Sequence, residues 1–152
     1  MKYWLVKSEP DEFSIDALQR VGVEPWSGVR NYQARNHLRD MKVGDRVLFY
    51  HSSCPEPGVV GLAKVSAAAF PDPTQFDPRS DYHDPKSKPE EPRWSAVEVA
   101  FDRKLKRTIT LDEIRQNADA LGEFALIQRG SRLSVLPVSA VQWKIILAME
   151  GK

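Results

Sequence analysis

The chain has 152 residues, with 22 Lys+Arg against 21 Asp+Glu and a formal net charge of +1. That length predicts one domain spanning 1–152 and excludes a multidomain machine. With 41% hydrophobic and 28% charged residues there is enough apolar surface to close a core, which excludes disorder. The even charge balance excludes whole-molecule attraction to a polyanion, so any contact with nucleic acid must come from a local basic cluster.

The apolar runs are too short for a membrane span or a leader peptide, so no membrane association is expected. Cys54 is alone and cannot form an intrachain disulfide, which fits a reducing compartment: the cytoplasm of a bacterium, or the nucleus in a eukaryote. A monomer is expected.

In chain order, Tyr3 to Val6 predicts a strand that stops at the polar string Lys7-Ser8-Glu9-Pro10. A short helix is predicted over about Ser14 to Arg20, then a loop through Trp26 and Gly28 that leads into a helix from Asn31 to Met41. There Asn31 is suited to cap the first turn, and Ala34, Leu38 and Met41 share a face. The turn Val43-Gly44-Asp45 precedes a strand at Val47 to Tyr50, which exits through His51-Ser52-Ser53-Cys54; another strand is predicted at Val59 to Val65. Residues 71–93 predict a long loop, since Pro71 to Pro92 holds six of the 11 prolines. A strand follows at Trp94 to Phe101. Thr110 with Glu113, and Ser139 with Gln142, have the spacing of capping boxes and predict two helix starts, the second helix running to Met149. Between them Leu133 to Val135 predicts a strand. The expected fold is α+β, mainly β: a curved barrel of five to six strands with short flanking helices.

Candidate chemistry gathers at the polar ends of these runs. Trp26, beside Gly28 in a predicted loop, can stack on a planar ring for about 1–3 kcal/mol or can plug one end of the barrel. Gly28, Arg30 and the first amides of the helix after Asn31 could hold a phosphate, or Arg30 could be a solvated charge and Asn31 only a cap. Arg35 and Arg39 share a helix face, with Lys42 and Arg46 beyond them, as a small basic strip. Lys7, Ser8 and Glu9 could read the edge of a stacked ligand or form a plain turn. On a strand, Arg132 and Ser134 would point the same way, toward either a phosphate or a structural ion pair.

Metal and catalytic readings are weaker. His51 and Cys54 lack a second ligand pair, so no zinc is expected, and the aspartates of the long loop lack the glycine and terminal glutamate of a calcium loop. There is no nucleophile elbow and no glycine-rich phosphate loop.

Several long strings nonetheless occur together: Lys7-Ser8-Glu9-Pro10, the run from Trp26-Ser27-Gly28-Val29-Arg30 to Asn36, Met41-Lys42-Val43-Gly44-Asp45, Phe49-Tyr50-His51-Ser52, Pro92-Arg93-Trp94 and Arg132-Leu133-Ser134-Val135. They resemble the successive motifs of the EVE domain, a PUA-like family similar to the YTH domains that read a methylated adenine in RNA. The resemblance spans nearly the whole chain. It implies a PUA-like pseudo-barrel and a non-enzymatic reader of a modified nucleobase, with modified cytosine in DNA foremost and a modified RNA base as the other ligand class. No cofactor is implied.

By the same resemblance Trp26 supplies one wall of an aromatic pocket, with Lys7, Ser8, Glu9, Asn31 and Ser52 as pocket residues and His51, Asn36 and Tyr82 as further members. Arg30, Arg35, Arg132 and Ser134 are the expected phosphate contacts, whereas Trp4, Trp94 and Trp143 are expected in the core. The expected indole is open to solvent beside a cavity, so Trp26→Ala should abolish binding and leave the thermal midpoint nearly unchanged. The competing expectations are an enzyme acting on nucleotides or nucleic acid with His51 or Glu9 as base, and a protein-interaction module.

Overall fold

Six strands and five short helices follow one another in residues 1–151, the part of the chain that the computed structural model describes. β1 (Tyr3–Ser8) leads to α1 (Ile15–Val21), where the Ser14 side chain accepts from the Ala17 N–H and caps the first turn. β2 (Val23–Trp26) precedes α2 (Tyr32–Asp40), whose Asn31 cap accepts from the Ala34 N–H. β3 (Arg46–His51), β4 (Gly58–Pro71) and β5 (Ser95–Thr110) come next, then α3 (Leu111–Gln116), α4 (Ala118–Leu121), β6 (Val135–Val138) and α5 (Ala140–Met149). Both expected capping boxes form, Thr110 with Glu113 at α3 and Ser139 with Gln142 at α5.

The strands make one mixed sheet in the order β2-β5-β4-β3-β1-β6, with β1 and β3 parallel and every other pair antiparallel. No hydrogen-bonded ladder joins β2 to β6 among the described residues, so the expected barrel is curled but not closed. The curl is measurable. β2 and β3 are three places apart in the order, roughly 14 Å in a flat sheet, yet the rings of Trp26 and Phe49 meet at 5.5 Å. The bending comes from the long pair β4 and β5, whose register shifts at four points between Val59 and Phe70. Each edge strand carries a proline, Pro25 in β2 and Pro137 in β6, which offers no N–H to a further strand.

Both faces of the sheet are covered, which explains why β1 and β3 read as unbroken apolar runs. Trp4, Val6, Val47 and Phe49 pack with Leu18 of α1 and Leu38 of α2. Leu5, Leu48, Tyr50 and Leu136 pack on the opposite side with Ile114 of α3 and Ile146 of α5. The buried Asp45 accepts from the Trp4 indole at 3.0 Å and from the N–H groups of Lys2 and Lys42, so the turn at Val43-Gly44-Asp45 is tied to the first strand.

Several sequence-based expectations need correction. β2 lies where a loop was expected. β4 runs six residues past Val65 and β5 nine past Phe101. The last strand begins at Val135, which leaves Arg132 and Ser134 in the approach to it rather than on it. The proline-rich stretch is a loop, but one organised from inside. Gln75, fully buried, donates from Nε2 to the carbonyls of Asp72 and Trp94, and its Oε1 accepts from the Ser87 hydroxyl at 2.6 Å and the Trp94 N–H at 3.1 Å. Among the described residues no helix is long and apolar enough to cross a membrane.

Candidate nucleic-acid interface

Because β1 and β3 are parallel, their C-terminal ends open on the same side of the sheet, where the Ser52 N–H bonds to the Ser8 carbonyl at 3.0 Å. The approach to β6 joins them there, with the Lys7 N–H donating to the Ser134 carbonyl at 2.8 Å. The curl of the sheet brings the end of β2 to the same place. These ends surround a hollow of about 570 Å3, within the range of roughly 300–1,000 Å3 typical of small-molecule sites.

Trp26 borders this hollow but is not open to solvent: it is 8% exposed, and its ring stands nearly perpendicular to Phe49 and, at 6.3 Å, to Phe13. Plug and wall are therefore one side chain. The expectation that Trp26→Ala spares the thermal midpoint is withdrawn, because truncating a buried aromatic costs about 3–5 kcal/mol. Phe13, the neighbouring wall, carried no sequence signal. It is brought in by the turn after Pro10, where the Glu9 carbonyl accepts from the N–H groups of Glu12 and Phe13 and the Ser8 hydroxyl donates to the Phe13 carbonyl at 2.6 Å.

Of the expected residues, Lys7, Ser8, Glu9, Ser52, Tyr82, Arg30, Arg132 and Ser134 line the hollow with Trp26. Burial holds the Lys7 ammonium below the usual lysine value, and it lies 5.8 Å from the Tyr50 ring centroid. Glu12 and Glu24 join Glu9 as carboxylates on the rim; burial pushes the Glu24 carboxyl above its ordinary value. Glu24 was missed because β2 was.

Arg30 faces the hollow with its charge already committed. All five of its N–H donors are taken: by the Asp72 carboxylate at 3.1 Å, the Thr74 hydroxyl, the Val29 carbonyl, and the Tyr82 carbonyl twice. Asp72 is fully buried and also accepts from the Gly28 N–H at 2.7 Å and from Thr74. Burial pushes the Asp72 carboxyl up, but these donors outweigh it and hold it below the ordinary aspartate value. Here Arg30 fastens the proline-rich loop to the mouth of the hollow. Gly28 has φ +83°, and a Cβ there would come within 2.9 Å of the Tyr82 ring, so the loop's tyrosine lies directly on the glycine.

Four expected residues lie outside the hollow. The Asn31 side chain is spent on its cap. Asn36 accepts from Arg35 on an exposed part of α2. Arg35 turns the other way and donates to the Arg93 carbonyl at 2.9 Å. His51 accepts at Nε2 from the Ile15 N–H at 3.1 Å, which requires an unprotonated Nε2; burial likewise holds its pKa below the ordinary histidine value. Its lone pair thus supports the start of α1. Of the basic strip, Arg46 pairs with Asp102 at 3.1 Å and lies over the Trp143 ring.

The EVE domain family model matches residues 2–149. Thymocyte nuclear protein 1 of Homo sapiens is 41% identical over 168 residues, covering 99% of this chain and 74% of that protein.

The chain belongs to the EVE domain family.

Two solved EVE domain relatives share its architecture. A Pseudomonas putida protein superposes with a TM-score of 0.95 at 55% identity, over 97% of this chain and 99% of that one. The human THYN1 protein, solved in complex with DNA containing 5-methylcytosine, superposes with a TM-score of 0.95 at 40% identity, over 100% of this chain and 99% of that one. The PUA-like α+β fold expected from the motifs is the fold that these EVE domains share.

Proposed function

We propose that this chain reads a modified cytosine in DNA, holding the base in the hollow between the strand ends. The observation that carries the reading is the composition of that hollow: a buried indole and a phenyl ring as walls, with carboxylates and an ammonium at the rim. Cytosine presents one amine donor and two acceptors on its pairing edge, so Glu9, Glu12 or Glu24 can accept from the amine while Lys7 donates to an acceptor. An apolar substituent at C5 suits the Phe13 and Val29 side of the wall. The human relative solved with 5-methylcytosine DNA supports the choice of ligand. The base must leave the duplex to enter, which costs a few kcal/mol and keeps the affinity of one pocket modest.

The test is calorimetric titration with matched duplexes carrying cytosine, 5-methylcytosine or N6-methyladenine at one central position, repeated with the corresponding RNA. The 5-methylcytosine duplex is expected to bind at least tenfold more tightly than the others, since one methyl in an apolar site is worth about 1–3 kcal/mol. Lys7→Met and Glu24→Gln are expected to erase that preference without the loss of stability that Trp26→Ala brings. Equal binding of all duplexes overturns the reading, tighter binding of the RNA replaces DNA as its ligand, and turnover of the oligonucleotide makes the chain an enzyme.

A further inference from the structure

A second hollow, about 480 Å3, opens between α2 and the loop that precedes β5. Arg35 and Arg39 line it from the helix, four residues apart on one face, and Lys86, Lys88 and Arg93 line it from the loop; Glu91 is the one carboxylate in its wall. The two helix arginines are fixed by neutral oxygens. Arg35 donates from Nη1 to the Arg93 carbonyl at 2.9 Å, and Arg39 from Nε to the Ser95 hydroxyl at 2.9 Å and from Nη2 to the Arg93 carbonyl at 3.2 Å.

These bonds orient the guanidinium groups without cancelling their charge. Among the described residues, Arg35, Arg39, Lys86 and Lys88 have no carboxylate within 4.0 Å, while Arg93 reaches Asp84 only at 3.8 Å. Elsewhere Arg30, Arg46, Arg103 and Arg107 each pair at 3.1 Å or less, and the other arginines unpaired among the described residues, Arg20, Arg79, Arg115, Arg129 and Arg132, are not gathered with Arg35 and Arg39 in the lining of this cleft. Burial and then the neighbouring Arg39 both weigh against the charge on Arg35. Five cations around a single carboxylate make a local positive potential that attracts an anion from outside.

The placement says which kind. Arg35 and Arg39 stand one turn apart on α2, roughly 6 Å at 1.5 Å per residue, and α2 begins two residues after Arg30, which lines the first hollow. Arg35 and Arg39 meet at the Arg93 carbonyl, and Lys86 and Lys88 carry the positive lining on along the loop, so the cleft offers two planar donor forks to a phosphate group of a strand that continues from the first hollow.

We propose that this cleft holds the phosphodiester backbone of the DNA strand flanking the base in the first hollow. The inference rests on the proposed base reading for the identity of that strand. It also explains how a chain of net charge +1 grips a polyanion, by concentrating unpaired cations beside the hollow.

The experiment is filter binding of the full chain to the 5-methylcytosine duplex and its unmodified twin between about 50 and 200 mM salt. The variant is Lys86→Gln with Lys88→Gln, two exposed side chains that make no hydrogen bond in the fold among the described residues. It is expected to weaken binding to both duplexes about equally and to reduce the slope of log affinity against log salt by about 1.8, near 0.9 per phosphate contact. Its methylcytosine preference should stay at the parent value. An unchanged slope and affinity overturns the cleft and leaves the base reading standing. A reduced slope in a chain with no methylcytosine preference does the opposite, whereas absence of any DNA binding overturns both. Competition by an acidic peptide as effective as DNA of equal charge replaces the phosphodiester with a protein partner.

Discussion

Arg30 and Arg35 stand five residues apart in one motif, and the fold treats them in opposite ways. The first surrenders all its donors to a buried carboxylate, a hydroxyl and two carbonyls; the second is positioned by neutral oxygens and keeps its charge for something else. Two basic side chains in a loop-to-helix string are equivalent on paper. What separates them is Asp72, more than 40 residues along the chain, and whether an arginine meets such an acid decides between clamp and contact.

The sharpest way to break this contrast is Asp72→Ala. It strips Arg30 of its counter-ion and orphans the Gly28 N–H, and is expected to cost about 3 kcal/mol in urea unfolding, against about 1 kcal/mol or less for Arg35→Ala. Equal losses would dissolve the distinction. A smaller effect, about 1–2 kcal/mol, is expected for Gly28→Ala, which forces a side chain into left-handed backbone. Since the added methyl also displaces the Tyr82 ring, which lines the first hollow, binding there should suffer more than the thermal midpoint does. Salt dependence of binding should stay as in the parent.

The smallest effect is in acid. Arg107 bonds Glu113, and Arg103 bonds Glu150, so each carboxyl titrates at about 2 when folded against 4.5 when free. The folded values are the lower ones. The pairs therefore stabilise the fold fully above pH 4.5, and that contribution is lost as the pH falls through about 2. Glu113→Gln should flatten the fall of the urea midpoint over this interval. Arg35→Gln, which has no acid to lose, should leave it as steep as in the parent.

What could be seen in the residues was what is local. The caps at Ser139, Thr110 and Asn31 involve groups three residues apart, and the strands of the two-faced core are unbroken apolar runs. β2 was hidden because Val23-Glu24-Pro25-Trp26 is an edge strand with a proline, identifiable only by its pairing with Val97 to Ala100. The order of the proline-rich loop was hidden too, since Gln75 reaches Trp94 across 19 residues. His51 resembled a base at a strand exit, but nothing nearby in sequence announces that the Ile15 N–H will occupy its nitrogen. The polar ends of β1 and β3 were read as one site because the motifs resemble a family. Their meeting is a product of parallel pairing, which no single string reveals.

Two of the four tryptophans stand at the two hollows proposed for DNA, Trp26 in the wall of the first and Trp94 stacked on Tyr32 at 4.8 Å and next in sequence to Arg93 of the second. Trp4 and Trp143 pack elsewhere, against His37 and Tyr3. The molecule thus carries a built-in optical reporter at each place. All four indoles emit in overlapping bands, so Trp26→Phe and Trp94→Phe variants assign the signals: quenching lost with the first registers a base settling beside Trp26, and quenching lost with the second a strand lying along the loop.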